Sequence, residues 1–163
     1  MKRVISMAGV LVLVMMASAA FAQSKPNFAG KWTLVPDPNA AAGGGRGRGG
    51  LGMGNEFTAA QDEKTLTVTR ANQQIGEIKS VYNLDGSDSK NTLSFGGQSV
   101  DQMSKVKWDG SKLVITTKTN FQGNEAESTQ TWSLDASGSL MIESTSNFGG
   151  NGPTTTKSTY KKS

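Results

Sequence analysis

Among its 163 residues the chain has no cysteine and no histidine. Without cysteine there is no disulfide, thiolate nucleophile, zinc finger, iron–sulfur ligation or lipid-anchoring cysteine. Without histidine, Ser-His and Cys-His catalytic machinery is impossible, and the commonest transition-metal ligand is gone. The 35% hydrophobic content is too high for a fully disordered chain, and it is too evenly spread for a multi-span membrane protein. One domain fits the length. No nucleophile–base pair or metal cluster is readable, so a non-enzyme without metal or cofactor is expected.

The first 22 residues read as a secretory signal peptide. Lys2 and Arg3 form a basic start, Val4 to Ala17 an apolar run, and Ala20-Phe21-Ala22 a small-x-small cleavage site. The apolar run is shorter than the roughly 20 residues a spanning helix requires. A secreted or periplasmic protein with no membrane span after cleavage is expected. Removing 22 residues from 163 leaves 141, and losing Lys2 and Arg3 lowers the formal charge from +4 to +2. A balance so close to neutral is no nucleic-acid signal.

From Gln23 onward no segment sustains a helical period. Short stretches alternate apolar with polar residues and are rich in Thr, Val, Ile, Tyr and Trp, with turn signals between them. Ten strands are predicted, at 28–35, 56–61, 65–71, 74–84, 90–95, 99–108, 111–121, 125–134, 139–148 and 154–161. Two kinds of turn alternate. Asp85-Gly86, Asp109-Gly110 and Asp135-Ala136-Ser137-Gly138 form one kind, and Asp-Gly suits a two-residue type I′ turn. Phe95-Gly96-Gly97, Phe121-Gln122-Gly123 and Phe148-Gly149-Gly150 form the other. In an up-and-down sheet the two kinds lie at opposite ends. An even strand number lets the first and last strands pair antiparallel and remove both edges. The expected fold is all-β, an up-and-down antiparallel β-barrel of 8–10 strands with a Gly-rich loop at 39–55.

Side-chain alternation sorts the faces. Near the Asp-Gly turns one face carries Tyr82, Leu84, Val106, Trp108, Leu113, Ile115, Trp132, Leu134, Leu140 and Ile142. Toward the Phe-Gly turns the same face becomes polar, with Ser80, Ser104, Thr117, Thr119, Ser128, Gln130, Ser144 and Ser146, then Phe121 or Phe148. Ser158 and Tyr160 of the last strand face the same way. Lys79, Lys105, Lys107, Lys118 and Glu143 take the other face. A buried hydroxyl without a partner costs about 1–3 kcal/mol, so this row points to trapped water or a ligand in an open interior. The competing reading is an ordinary open sheet or sandwich. Arg70 is also read two ways. It shares a face with Leu66 and Val68, which makes it an inward anion anchor. It also stands near the strand end, which sends it to water, and the cost of an unpaired buried charge favours water.

Asn27-Phe28-Ala29-Gly30-Lys31-Trp32-Thr33-Leu34-Val35 resembles the G-x-W opening strand of the lipocalin and fatty-acid-binding-protein (calycin) superfamily. Lys107-Trp108-Asp109-Gly110-Ser111-Lys112 and Thr159-Tyr160-Lys161-Lys162 resemble a later hairpin and the final strand of the intracellular lipid-binding proteins. The chain is also similar to small secreted bacterial lipocalin-like proteins. The resemblance implies an up-and-down barrel with a ligand cavity and a base at Gly30, Trp32, Trp108 and Trp132, with Trp32 as plug. It departs from the family at Ser158, where fatty-acid-binding proteins place the Arg that holds a lipid carboxylate. Residues 36–55 stand in place of their helical lid, and the lipocalin disulfides are absent. A small hydrophobic or neutral ligand suits these departures better than a fatty acid.

The run 43–54 superficially resembles an RNA-binding RGG tract. It holds only Arg46 and Arg48, with no interleaved aromatic, and follows a secretion signal, so a loop at the barrel mouth is expected instead. Asp85 to Asn91 lacks the spacing and terminal Glu of a calcium loop. Glu125 and Glu127 share one strand face with no cleft around them, and Asp62-Glu63 reads as a solvated turn. The expectation is a monomeric, secreted or periplasmic barrel that binds a small, moderately apolar molecule. The alternative is a ligand-free envelope or extracellular interaction barrel that acts through its outer face or its Gly-rich loop.

Overall fold

A computed structural model describes residues 24–37, 52–73, 76–95, 97–121, 123–147 and 152–163. The leader at 1–22, most of the Gly-rich loop, Phe148 and the side chain of Phe121 lie outside the described residues. The described residues form ten strands: β1 (Gly30–Leu34), β2 (Glu56–Gln61), β3 (Thr65–Asn72), β4 (Gly76–Asn83), β5 (Ser89–Phe95), β6 (Gln98–Asp109), β7 (Lys112–Phe121), β8 (Asn124–Leu134), β9 (Leu140–Asn147) and β10 (Thr154–Lys162). They make one antiparallel sheet in the order β4-β3-β2-β1-β10-β9-β8-β7-β6-β5. Each follows from period-two alternation. In β6, Val100, Ser104 and Val106 are buried while Ser99, Asp101, Met103, Lys105 and Lys107 are exposed. Lys79, Lys118 and Glu143 are exposed as expected.

The two ends of the chain pair. β1 runs against β10, with Trp32 opposite Lys162 and Leu34 opposite Tyr160. This pairing does not remove both edges, because β4 and β5 remain without a backbone ladder between them. Side chains close that seam instead. The Asn91 carboxamide accepts from Val81 N at 2.8 Å and donates to Val81 O at 3.0 Å. One amide side chain thereby offers the donor and acceptor that a neighbouring strand would offer. Beside it, Ser89 Oγ accepts from Asn83 N at 2.7 Å, and Asn83 Nδ2 donates to Asp88 O at 2.9 Å. The sheet is thus a nearly closed barrel.

The Asp turns gather at one end, but they are built differently from the expected type I′ pairs; the residues that would form the Phe-Gly turns lie in part outside the described residues. Asp109 pairs with Lys112, so the two-residue turn is Gly110-Ser111 and the aspartate precedes it. Asp85 and Asp135 open longer loops, in which each Oδ1 accepts the backbone N–H two residues on, from Ser87 and Ser137, both at 2.8 Å. Asp62 does likewise with Lys64 N at 2.7 Å and Thr65 N at 2.6 Å. A carboxylate that caps downstream amides organises the loop locally, and this supplants the tighter hairpin.

β1 begins two residues later than expected. Phe28 N donates to Gln61 Oε1 at 2.9 Å, and the backbone then bends at Gly30, where φ is +150°. A Cβ at Gly30 would also collide with the Lys162 side chain. Freed from the ladder, Phe28 turns fully into the core.

Candidate functional site in the barrel interior

The floor lies at the Asp-turn end. Phe28 stacks on Trp108 with centroids 6.2 Å apart and meets Trp132 edge-on at 5.8 Å. Phe57 contacts Trp132 at 5.7 Å and Tyr160 at 5.0 Å. Trp32 is buried and donates its indole N–H to Phe28 O at 2.9 Å. Of the expected base, Trp32 and Trp132 are fully interior, whereas Trp108 is half-buried at the outer lip with Lys25 Nζ 5.2 Å from its ring centre. Gly30 sits at the β1 bend, under the Lys162 side chain that also reaches over Trp32.

The hydroxyl row lies on the inner face, and much of it supplies its own partners. Ser104, Thr117, Ser128 and Ser146 are cross-strand neighbours in succession. Ser80 and Ser104 are buried, Thr117, Thr119, Ser128, Gln130, Ser144 and Ser158 are half-buried, and Ser146 is exposed. Strands tilt in a barrel, so a line of register partners climbs toward the rim, which takes Ser146 out to solvent. Ser104 and Thr117 share a hydrogen bond of 2.8 Å. Gln102 Nε2 donates to Thr119 Oγ1 at 3.2 Å, and Trp132 Nε1 donates to Gln130 Oε1 at 3.1 Å. The expectation that this row holds unsatisfied hydroxyls is therefore corrected. Among the described residues the buried side-chain polar atoms without a partner are Arg70 Nε and Trp108 Nε1.

Arg70 is 7% exposed, which overturns the preference for a solvent-facing side chain. The register explains why. Trp32 pairs with Phe57, Phe57 with Arg70 and Arg70 with Ile78, so Arg70 continues an inward line that starts in the floor. Its Nη1 donates to Met53 Sδ at 3.7 Å, a weak acceptor. Among the described residues no carboxylate pairs with it. Burial lowers its pKa, against the opposing pull of the Tyr82 and Tyr160 phenols. Burial likewise raises both phenols above their ordinary value; Arg70 acts against this in each, and so do hydrogen bonds from Ser80 to Tyr82 and from Ser158 to Tyr160. Tyr160 OH donates to Gly54 O at 3.1 Å, so the segment carrying Met53 is tied to the same group.

Met53, Phe57, Asn91 and Ser89 were not singled out from sequence. Met53 is a lone large apolar residue between glycines. Asn91 occupies an inward position of a strand, where a carboxamide is out of place unless it replaces a ladder bond; that was the available signal. Among the described residues, two of the cavities border the barrel. One of about 150 Å3 lies on the open part of the seam against Ile78, Thr92 and Leu93, and one of about 360 Å3 lies outside the floor between Lys25, Gln61, Glu63 and Trp108. Among the described residues no cluster of three His, Cys, Asp or Glu could hold a metal ion. Nor is any helix there long and apolar enough to cross a membrane. No family model and no curated protein matches the chain.

Proposed function

We propose that this protein is a non-catalytic binding barrel, secreted or periplasmic, that holds a small, moderately apolar molecule above its aromatic floor. The observation that carries this reading is the graded interior: packed aromatics at one end, then hydroxyls and a buried guanidinium toward the other. A core built for stability alone has no use for a buried cation without a partner ion, whereas a recognition site combines an apolar wall with a few convergent polar groups. The resemblance to the calycin superfamily agrees with it. The test is a broad panel of apolar fluorophores, neutral and anionic, titrated into the protein while tryptophan quenching is followed. Saturable binding of at least one is expected, with quenching from the Trp32 and Trp132 floor. Absence of saturable binding across the panel overturns the reading.

A second reading has its own observation. Ser104 and Thr117 of the inner row bond to each other, and the two cavities described lie outside that row. This favours a filled, ligand-free barrel that acts through its outer face or its Gly-rich loop. It predicts capture of an envelope or extracellular partner that is lost when residues 40–54 are deleted, with no binding of any dye.

A further inference from the structure

Arg70 is the one buried cation in the described interior, and its surroundings are arranged as if around an absent group. Among the described residues its Nε has no partner, and its Nη1 donates to a thioether sulfur. Nearly all buried guanidinium groups are paired, because an isolated charge taken out of water is strongly disfavoured. Five ion pairs are present among the described residues, and all of them join exposed side chains. The acids of those pairs lie at the surface, and among the described residues no carboxylate forms an ion pair with Arg70. Among the described residues nothing supplies a counter-charge to this guanidinium.

The thioether marks where that group would sit. Met53 is 6% exposed and belongs to the core cluster, yet no strand holds it. It lies between Gly52 and Gly54, and Gly54 takes a φ of +77° that few side-chain-bearing residues adopt. On its far side the chain is tied down twice, by Tyr160 OH on Gly54 O and by Leu34 N on Asn55 O at 2.7 Å. Methionine is unbranched and adaptable, so it fills the space over the guanidinium without satisfying its charge.

We infer that Arg70 anchors a small organic anion with an apolar body, and that Met53 is a displaceable stopper occupying the anion's place at Nη1. The inference rests on the binding-barrel reading and adds the charge class of the ligand to it. A carboxylate or sulfonate matches the fork of a guanidinium with two parallel hydrogen bonds. Its apolar body would lie along Phe57 and Tyr160, the rings that border Arg70 and the floor.

The test uses two dyes that share their ring systems. Anilinonaphthalene sulfonate carries the anion, and phenylnaphthylamine lacks it. Both are titrated into the intact chain, Arg70→Gln, Arg70→Lys and Met53→Ala, with circular dichroism and thermal melts to show that each variant is folded. The intact chain is expected to bind both dyes. Arg70→Gln should weaken the sulfonate about tenfold or more and leave the neutral dye unchanged. Arg70→Lys, which keeps charge but not the fork, should fall between. Met53→Ala should tighten the sulfonate by several-fold, because the stopper no longer competes. If the sulfonate binds Arg70→Gln, or Arg70→Lys should Gln fail to fold, as tightly as the intact chain, the anion site is overturned while binding of the neutral dye leaves the container standing. Unchanged sulfonate affinity in Met53→Ala overturns the stopper. If neither dye binds the intact chain, the container falls, and the anion site falls with it.

Discussion

Two buried side chains, Trp32 and Arg70, are separated by one strand and make opposite contributions. Trp32 is 1% exposed, fills the floor and satisfies its indole N–H on Phe28 O. Trp32→Ala removes a large apolar group, leaves a cavity and orphans that carbonyl. It should cost about 3–5 kcal/mol in urea-induced unfolding; a loss below about 1 kcal/mol would mean the residue is not a plug. Arg70 is also buried, but among the described residues it has no partner ion. Replacing a buried charged group with an apolar one of similar volume is commonly neutral or stabilising, so Arg70→Leu should raise stability by about 1–3 kcal/mol. A gain of stability at a residue whose loss weakens anion binding is the signature of a site maintained against the fold's own interest. Marked destabilisation would instead make the guanidinium a structural member. Arg70 also shows what sequence reading can reach: its face was legible from Leu66 and Val68, but its burial was not. The penalty on buried charge argued for water, and only the register through Trp32 and Phe57 overrides that argument.

Strand identity was legible because alternation is a local property, and all ten strands fall close to their expected places. How the strands close was not, because the seam depends on which edges are left facing each other once the termini have paired. Asn91 does there what backbone does elsewhere. Asn91→Ala removes both bonds to Val81 and leaves that part-buried edge unsatisfied, which should cost about 1 kcal/mol. Amide hydrogen exchange should speed up at Val81 before any other β4 amide; uniform slow exchange across β4 would show that the seam is held by packing alone. The turns give an element-scale prediction of their own. The Asp62 carboxyl is held below its ordinary value chiefly by the Lys64 and Thr65 amides, and those of Asp85 and Asp135 chiefly by the Ser87 and Ser137 hydroxyls. A carboxyl whose folded pKa is depressed contributes stability that is complete above the unfolded value and is lost as pH falls through the folded one. The urea midpoint should therefore be flat near neutrality and decline below about pH 4. Replacing Asp62, Asp85 and Asp135 together by Asn keeps an acceptor oxygen but cannot titrate, so the variant should show a shallower acid decline. An identical decline would assign acid sensitivity to other groups.

The whole molecule is held shut by unequal joints. At the termini, β1 and β10 share a backbone ladder, Tyr160 is buried against Phe57, and Ser163 N donates to Lys31 O at 2.9 Å. At the opposite seam two side chains stand in for a ladder. That closure at the termini was legible, since an even count of up-and-down strands brings the first and last together antiparallel. The candidate site was only partly so: the serines and threonines could be placed on the inner face, but their pairing with one another, and the arrival of Met53 from outside any strand, are products of the closed barrel. Deleting residues 159–163 tests the unequal joints directly. The deletion removes Tyr160 together with the partners of Trp32, Thr33 and Leu34. It also turns β1 and β9 into neighbours of an open edge beside an uncovered floor. A barrel opened on its stronger side, with only a side-chain clip on the other, has two edges free to pair with other chains. The truncated protein should lose its cooperative thermal transition and elute as large aggregates in size-exclusion chromatography, whereas Asn91→Ala, which loosens the weaker joint, should keep the elution volume and cooperativity of the intact chain. If the truncated protein keeps the elution behaviour and the thermal transition of the intact chain, the ladder between the termini is dispensable and the barrel is held by its aromatic floor.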